Sequence, residues 1–303
     1  MFKYHVTALL LGTILEFFIG RLYSIWNPFD SIKNLVAYLD RALLGDEIIV
    51  LEPAKRKNLG LWILVIVLVP VIVFIGFYTI IAYEVAPVIG VIFEAIASYF
   101  CLDGHRLFYI GKEAMEDFYS DGIPAMRRSV GVLTGHDSDN DNEQTLTKEA
   151  VTYIANESSD SVISPIFVMF LFGPVGGFIY RTVDIMDSVI GYDNDRYRDF
   201  GYYTACLDRI FDYIPGRFSG WLATFLAKFT SDCNAKNASY IHLRDRKKAI
   251  SAFSGALEIS LKNDSIGDDD RVANARQINT AVRLMRNMYI TCQLAIFIMI
   301  IVC

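Results

Sequence analysis

Four long runs of this chain carry almost no charge, and their spacing predicts the architecture. Residues 58–83 run for 26 positions without an Asp, Glu, Lys or Arg. At about 1.5 Å per residue, a helix of that length crosses a hydrocarbon core of roughly 30 Å with length to spare. Pro70 and Gly76 fall inside the run, and membrane helices tolerate both. Residues 85–102 follow at once, broken only by Glu94, with Pro87 near the start. The two runs therefore predict a tight helical hairpin. Residues 161–180 form a third run. Pro165, Gly173, Pro174, Gly176 and Gly177 punctuate it, predicting a kinked helix rather than a straight one. The fourth run is 287–303.

Two further segments bring the expected spans from four to as many as six. Residues 5–25 are mostly apolar but contain Glu16 and Arg21. They are too long and too punctuated for a signal peptide, and the two charges read as a helix end at the membrane surface. Residues 214–227 are short and contain Arg217, which leaves interfacial, re-entrant and spanning placements open. The predicted fold is all-α: a polytopic helical membrane protein forming one integral domain over residues 1–303, at the cell membrane. Segments 103–160 and 228–286 are expected to be extramembrane helices and loops. If all six spans cross, they share one side with residues 26–57, and the Lys/Arg counts of five, eleven and five respectively place that side in the cytoplasm. Residues 135–147 and 263–274 are polar and acidic and read as solvated loops.

Composition narrows the class further. The 303 residues are 53% hydrophobic and only 20% charged, which is unlike an ordinary soluble enzyme. The formal net charge of −6 offers no basic footprint for nucleic acid. Five scattered cysteines and four isolated histidines form neither a disulfide framework nor a zinc site. No phosphate-binding glycine loop, dinucleotide fingerprint or nucleophile elbow is present. Asp103, Gly104 and His105 open like a corrinoid-binding signature, but Phe108 stands where its glycine is needed, so the match is set aside. A transporter is disfavoured, because one broken span has no repeated partner. Glu94, inside an apolar run, either faces a cavity or partner or marks a shorter span.

Polar chemistry is concentrated in residues 160–217. On a helix, Arg181, Asp184 and Ser188 fall at i, i+3 and i+7, with Asp187 beside them. A segment dense in tyrosines and charges follows, then Asp208, Asp212 and Arg217. Carboxylates gathered at a membrane surface suit Mg²⁺ bridged to substrate phosphates, and arginines nearby suit bidentate grip of phosphate or carboxylate. A solvated loop with interfacial tyrosines fits the same pattern.

The motifs in this stretch resemble the adenosylcobinamide-phosphate synthase family, integral membrane proteins of cobalamin biosynthesis. They are Ser159-Asp160-Ser161-Val162-Ile163-Ser164-Pro165, the glycine-rich span, Met186-Asp187-Ser188-Val189, and Gly191, Tyr192, Asn194 and Tyr197 with Phe200-Gly201. Leu207-Asp208 and Tyr213-Ile214-Pro215 with Arg217 complete the series. Weaker likeness touches Gly135-His136-Asp137, Arg244-Asp245, Ile266-Gly267-Asp268 and 281–286. The resemblance implies ATP- and Mg²⁺-dependent amide formation between an amino-alcohol phosphate, such as aminopropanol phosphate, and a propionate carboxyl of adenosylcobyric acid. It implies catalytic roles for Asp160, Asp187 and Arg217, and metal binding by Asp187 and Asp208. It implies substrate binding by Arg181, Tyr192, Asn194, Tyr197 and Arg244. Membrane lipid, the corrinoid, the amino-alcohol phosphate and a second copy of the chain are the expected partners. The family's serine-proline-asparagine stretch after Arg244-Asp245 is missing here, which implies the alternative: a membrane paralog that binds corrinoid or a partner protein without turnover.

Overall fold

A computed structural model describes residues 2–22, 26–45, 52–135, 141–245, 248–261, 265–269 and 271–302. His136 and Asp137 lie outside the described residues. The chain forms α1 (Phe2–Ile19), α2 (Pro28–Leu44), α3 (Pro53–Val85), α4 (Pro87–Phe100), α5 (Gly104–Asp121), α6 (Ile123–Thr134), α7 (Glu143–Ser158), α8 (Ser164–Ile190), α9 (Tyr202–Leu226), α10 (Ala235–Asp245), α11 (Lys248–Leu257) and α12 (Arg276–Val302). A π-helical turn, Ser159–Ile163, joins α7 to α8. Among the described residues the nearest thing to β-structure is one antiparallel bridge, Leu261 with Ile266.

Among the described residues five stretches are long and apolar enough to cross a membrane: Phe2–Ile19, Pro53–Val85, Pro87–Asp121, Glu143–Ile190 and Arg276–Val302. Each overlaps a span expected from the charge pattern. The sixth candidate, 214–227, is not among them. It covers the C-terminal part of α9, where Ile214, Trp221 and Phe225 remain exposed. The α3–α4 hairpin forms as expected. Ala86 turns the chain in an extended conformation and Pro87 opens α4, where its missing N–H leaves no bond unmade.

The interhelical contacts fix the directions of the helices. His5 meets Glu94 and Phe170, while Glu16 meets the backbone of His105, so α1 and α4 run the same way. Tyr289 reaches Glu16 and Thr13, and Gln293, one turn further on, reaches back to Thr13, so α12 runs against them. Close approach of α1 and α4 needs Gly12, where a Cβ would lie 2.6 Å from the Ala95 carbonyl oxygen and the Ser98 Cβ. Small residues at such crossings let two backbones touch.

The punctuated span is more than kinked. At Gly173 the chain reverses (φ 68°, ψ −165°). Cβ atoms built at Gly176 and Gly177 would meet Val168 and Met169, and Arg181 bonds Ser161. In an unbroken helix residues eight or twenty apart would stand roughly 12 or 30 Å apart along the axis. Thus 164–172 and 174–190 are two arms of a helical hairpin whose tip lies near Glu94 and His5. The tip backbone is in a region only glycine enters freely. Gly173→Ala is therefore expected to cost about 1–2 kcal/mol, measured as a lower unfolding midpoint in detergent; an unchanged midpoint would remove the reversal as a source of strain.

Two readings of charge in the apolar runs resolve. Glu94 is 2% exposed and accepts bonds from His5 Nδ1 and from Tyr83 Oη, the latter at 2.5 Å. It is a partnered intramembrane carboxylate, not a span end. Glu16 does not mark a helix end at the surface. It too is 2% exposed, bonded to the His105 N–H and the Tyr289 hydroxyl, both at 2.8 Å. Two donors from other helices make burial of that charge tolerable. Arg21, beyond the end of α1, pairs with Asp30 at 2.5 Å.

Candidate functional site

The second arm of the α8 hairpin divides the polar chemistry of this chain between two clefts. Its helical geometry puts Arg181, Asp184 and Ser188 on one face, as their spacing predicts. These three line a cleft of about 370 Å³. Asp187, next on the spiral, points to the other side and lines a second cleft of about 420 Å³.

The first cleft is built from five elements. The end of α1 contributes Glu16 and Gly20, and the segment after it Arg21. The start of α2 contributes Asn27, Phe29, Asp30 and Lys33. The α4–α5 junction brings Tyr99, Asp103 and Arg106, and α7 brings Tyr153 and Glu157. The π turn ties these walls together. Its Ser161 donates to Glu157 and accepts Arg181 Nη1 at 2.9 Å, while its carbonyl accepts the Asp103 N–H at 3.2 Å. Such turns widen the helix and free a carbonyl for a distant partner.

Each arginine here is oriented by an acid. Arg181 Nη1 donates to Asp184 Oδ2 at 2.6 Å. Arg106 donates from Nε to Asp103 Oδ2 at 2.6 Å and from Nη2 to the Tyr153 hydroxyl at 3.1 Å. A guanidinium carries five donors in a fixed fork, so one carboxylate aims it without exhausting it. The result is a concave site with aimed cations and buried acids, the arrangement that suits a charged, multifunctional small molecule.

The second cleft lies between the end of α8, the segment 191–201 and the start of α9. Asp187, Tyr192, Tyr197 and Asp208 all line it, as the sequence grouped them. The Tyr192 and Tyr197 rings are 6.3 Å apart. The segment is pinned from outside: Tyr197 Oη donates to Asp40 at 3.0 Å, Arg196 pairs with Asp40 at 3.2 Å, and Arg56 pairs with Asp199 at 2.8 Å. Burial, with the Asp40 bond, holds the Tyr197 phenol above the ordinary tyrosine range. Arg198 Nε is taken by Asp193 at 3.0 Å and Arg209 Nε by the Ala205 carbonyl at 3.0 Å. Among the described residues no three His, Cys, Asp or Glu side chains converge as a ready cage for a metal ion. Two carboxylates in one cleft are nonetheless the donor set Mg²⁺ takes when phosphates supply its other ligands.

The remaining candidates are not brought into these clefts. Asn194 serves its own turn, its Oδ1 accepting the N–H groups of Arg196 at 3.1 Å and Tyr197 at 2.9 Å. Asp160 sits half-buried in the π turn, within electrostatic reach of Tyr180, whose hydroxyl donates to Asp212 at 2.6 Å. Arg217 is exposed on α9 and stacks 4.0 Å above the Tyr213 ring. Arg244 is paired with Asp245 at 2.8 Å and Asp268 at 2.7 Å, and those hydrogen bonds raise its guanidinium pKa further. Conversely, Glu16, Asp103, Arg106, Tyr153 and Glu157 escaped the sequence reading. The available signal was Glu16 inside an apolar segment, and the Asp103-Gly104-His105 trio that was set aside.

With the geometry in hand, comparison with known proteins is direct. The pattern described as CobD/Cbib protein matches residues 9–294. A relative from Clostridium perfringens, named cobalamin biosynthesis protein CobD, is 29% identical over 266 residues, covering 84% of this chain and 81% of the relative. Its namesake from Brucella melitensis is 30% identical over 267 residues, covering 84% and 80%. One from Listeria monocytogenes is 30% identical over 198 residues, covering 58% and 62%. No solved structure matches the chain. A match over almost the whole length makes this chain a member of the CobD/Cbib family of cobalamin biosynthesis.

Proposed function

We propose that the protein is an ATP-dependent ligase of the membrane that joins an amino-alcohol phosphate to a propionate carboxyl of adenosylcobyric acid. The observation that carries this reading is the pair of clefts on either side of one helical arm, one rich in aimed arginines, the other holding two carboxylates and two tyrosines. The family named in the comparisons supports the corrinoid as substrate. Amide formation needs an activated carboxyl, an amine held against it and neutralisation of phosphate charge. Arg181, aimed by Asp184 and Ser161, neutralises an oxyanion in the first cleft. Asp187 and Asp208, which line the second, would hold Mg²⁺ there, and the ion would supply electrostatic stabilisation of phosphate charge. Tyr192 and Tyr197, their rings tilted 40° to each other, supply aromatic surface in the same cleft.

The test is reconstitution. Protein purified in detergent, given adenosylcobyric acid, aminopropanol phosphate, ATP and Mg²⁺, is expected to form an amide product of the corresponding mass, and chelation of Mg²⁺ to abolish it. Corrinoid binding without product would instead support the non-catalytic paralog, which the missing stretch after Arg244-Asp245 favours. Neither product nor binding would overturn both readings.

A further inference from the structure

We infer that the first cleft is a two-ended site for a ligand bearing an ammonium at one end and a phosphate at the other, with Asp103 and Glu16 at the ammonium end. The inference rests on the ligase reading only for the identity of that ligand with the amino-alcohol phosphate; the two ends follow from the cleft itself.

The inner part of the cleft, its floor, sets four acids, Glu16, Asp103, Glu157 and Asp184, against two cations, Arg106 and Arg181, an acidic excess. Asp103 is 6% exposed and Glu16 2%. Asp103 Oδ2 is engaged by Arg106, but its Oδ1 is buried without a hydrogen-bond partner among the described residues. An ionised carboxylate oxygen left that way costs more than a net hydrogen bond returns, so a donor from a ligand is the missing partner. Glu16 accepts one bond on each oxygen, from the His105 N–H and the Tyr289 hydroxyl. A carboxylate has about four acceptor positions, so each oxygen retains capacity. The two acids lie within electrostatic reach of each other, so one cation can serve both. A compact ammonium with three rotatable donors fits two converging carboxylates better than a further planar guanidinium does.

The mouth has the opposite character. Arg21 and Lys33 line it and reach solvent beside Asp30, which pairs with Arg21, so the side chains leave one positive charge in excess. The N-terminus of α2 opens onto the same place, since Asn27 caps the helix and both Asn27 and Phe29 line the cleft. Its aligned peptide dipoles add positive potential where the two side chains already provide it. Polarity thus runs from buried acid to exposed base along a single cleft. A phosphate alone would leave the floor unmatched, and an amine alone would leave the mouth unmatched.

The experiment measures binding, with no ATP or corrinoid present. Three probes are titrated into the detergent-solubilised protein by calorimetry: aminopropanol phosphate, propanediol phosphate lacking the amine, and inorganic phosphate. Wild-type protein is expected to bind the amine-bearing probe roughly tenfold more tightly than the diol phosphate. Asp103→Asn is expected to erase that preference while leaving diol phosphate affinity unchanged, and Lys33→Met to weaken both organic phosphates alike. If Asp103→Asn fails to fold, Glu16→Gln reads the same preference. Preference retained in the carboxylate variant, or wild-type protein that binds both organic phosphates equally or neither, overturns the inference. Preference lost in the variant without any amide product in the reconstitution assay would keep this site and remove the ligase reading. Product formation with the preference intact in Asp103→Asn would do the reverse.

Discussion

Arg181→Lys is expected to lower kcat/KM for amide formation by about 100-fold while the protein stays folded. Arg181 is mostly buried and donates to Asp184 at 2.6 Å and Ser161 at 2.9 Å from one nitrogen. The side chain lines the cleft, and its planar fork carries further donors in a fixed geometry. Lysine keeps the charge, so Asp184 and Glu157 are not left uncompensated, but it presents a point charge on a flexible stem. Losing the oriented charge-assisted bonds costs about 1.5–3 kcal/mol, and 1.4 kcal/mol corresponds to roughly tenfold. Arg217→Lys is the paired control. Arg217 lies on the exposed side of α9 over Tyr213 and lines neither cleft, so its change is expected to alter turnover by less than about twofold, as surface substitutions do. Steady-state kinetics on both variants decide the matter. A strong Arg217 effect beside a weak Arg181 effect would move the phosphate grip from the first cleft to α9.

The largest stability effect is expected inside the membrane. Glu94 is buried against His5 and Tyr83, and His5 also bonds the Phe170 carbonyl at 3.2 Å, next to the tip of the α8 hairpin. His5→Ala leaves the carboxylate with the Tyr83 hydroxyl alone among these partners and unties the tip. Breaking a buried pair by removing one member costs about 3–5 kcal/mol. The outcome is a clearly lower unfolding midpoint in detergent, together with faster proteolysis. Replacing both members, His5→Leu with Glu94→Leu, is expected to recover most of the loss, because no charge then remains to be desolvated. A single His5→Ala variant as stable as wild type would show that the cluster contributes little.

Much of this architecture is written in local composition. The spans around 58–83, 85–102 and 287–303 appear because a bilayer admits few charges, so an uncharged run of sufficient length declares itself without reference to any neighbour. The turn at Ala86-Pro87 is equally local, since proline at the first helical position suits a helix start. Spacing placed Arg181, Asp184 and Ser188 on one face, and they do share one cleft wall. The motif series grouped Asp187, Tyr192, Tyr197 and Asp208, and they line one cleft.

Other features depended on partners far along the chain. Glu16 looks like a helix end until Tyr289, 273 residues away, supplies a hydroxyl to its carboxylate. Gly173 and Pro174 announce a break, but the hand and extent of the reversal follow from Met169 packing on Gly177 and from the space beside Cys101. Asn194 reads as a polar ligand from its motif, yet the nearest N–H groups, those of Arg196 and Tyr197, claim its side chain. The sequence by itself therefore determined which segments belong in the membrane and which polar residues share a helix face, because hydropathy and helical period are properties of neighbours in the chain. Only the tertiary structure decided that Asp184 and Asp187 serve different clefts and that Glu16, Asp103 and Arg106 join the first, because a buried charge is stabilised by whichever donor the packing of distant helices delivers to it.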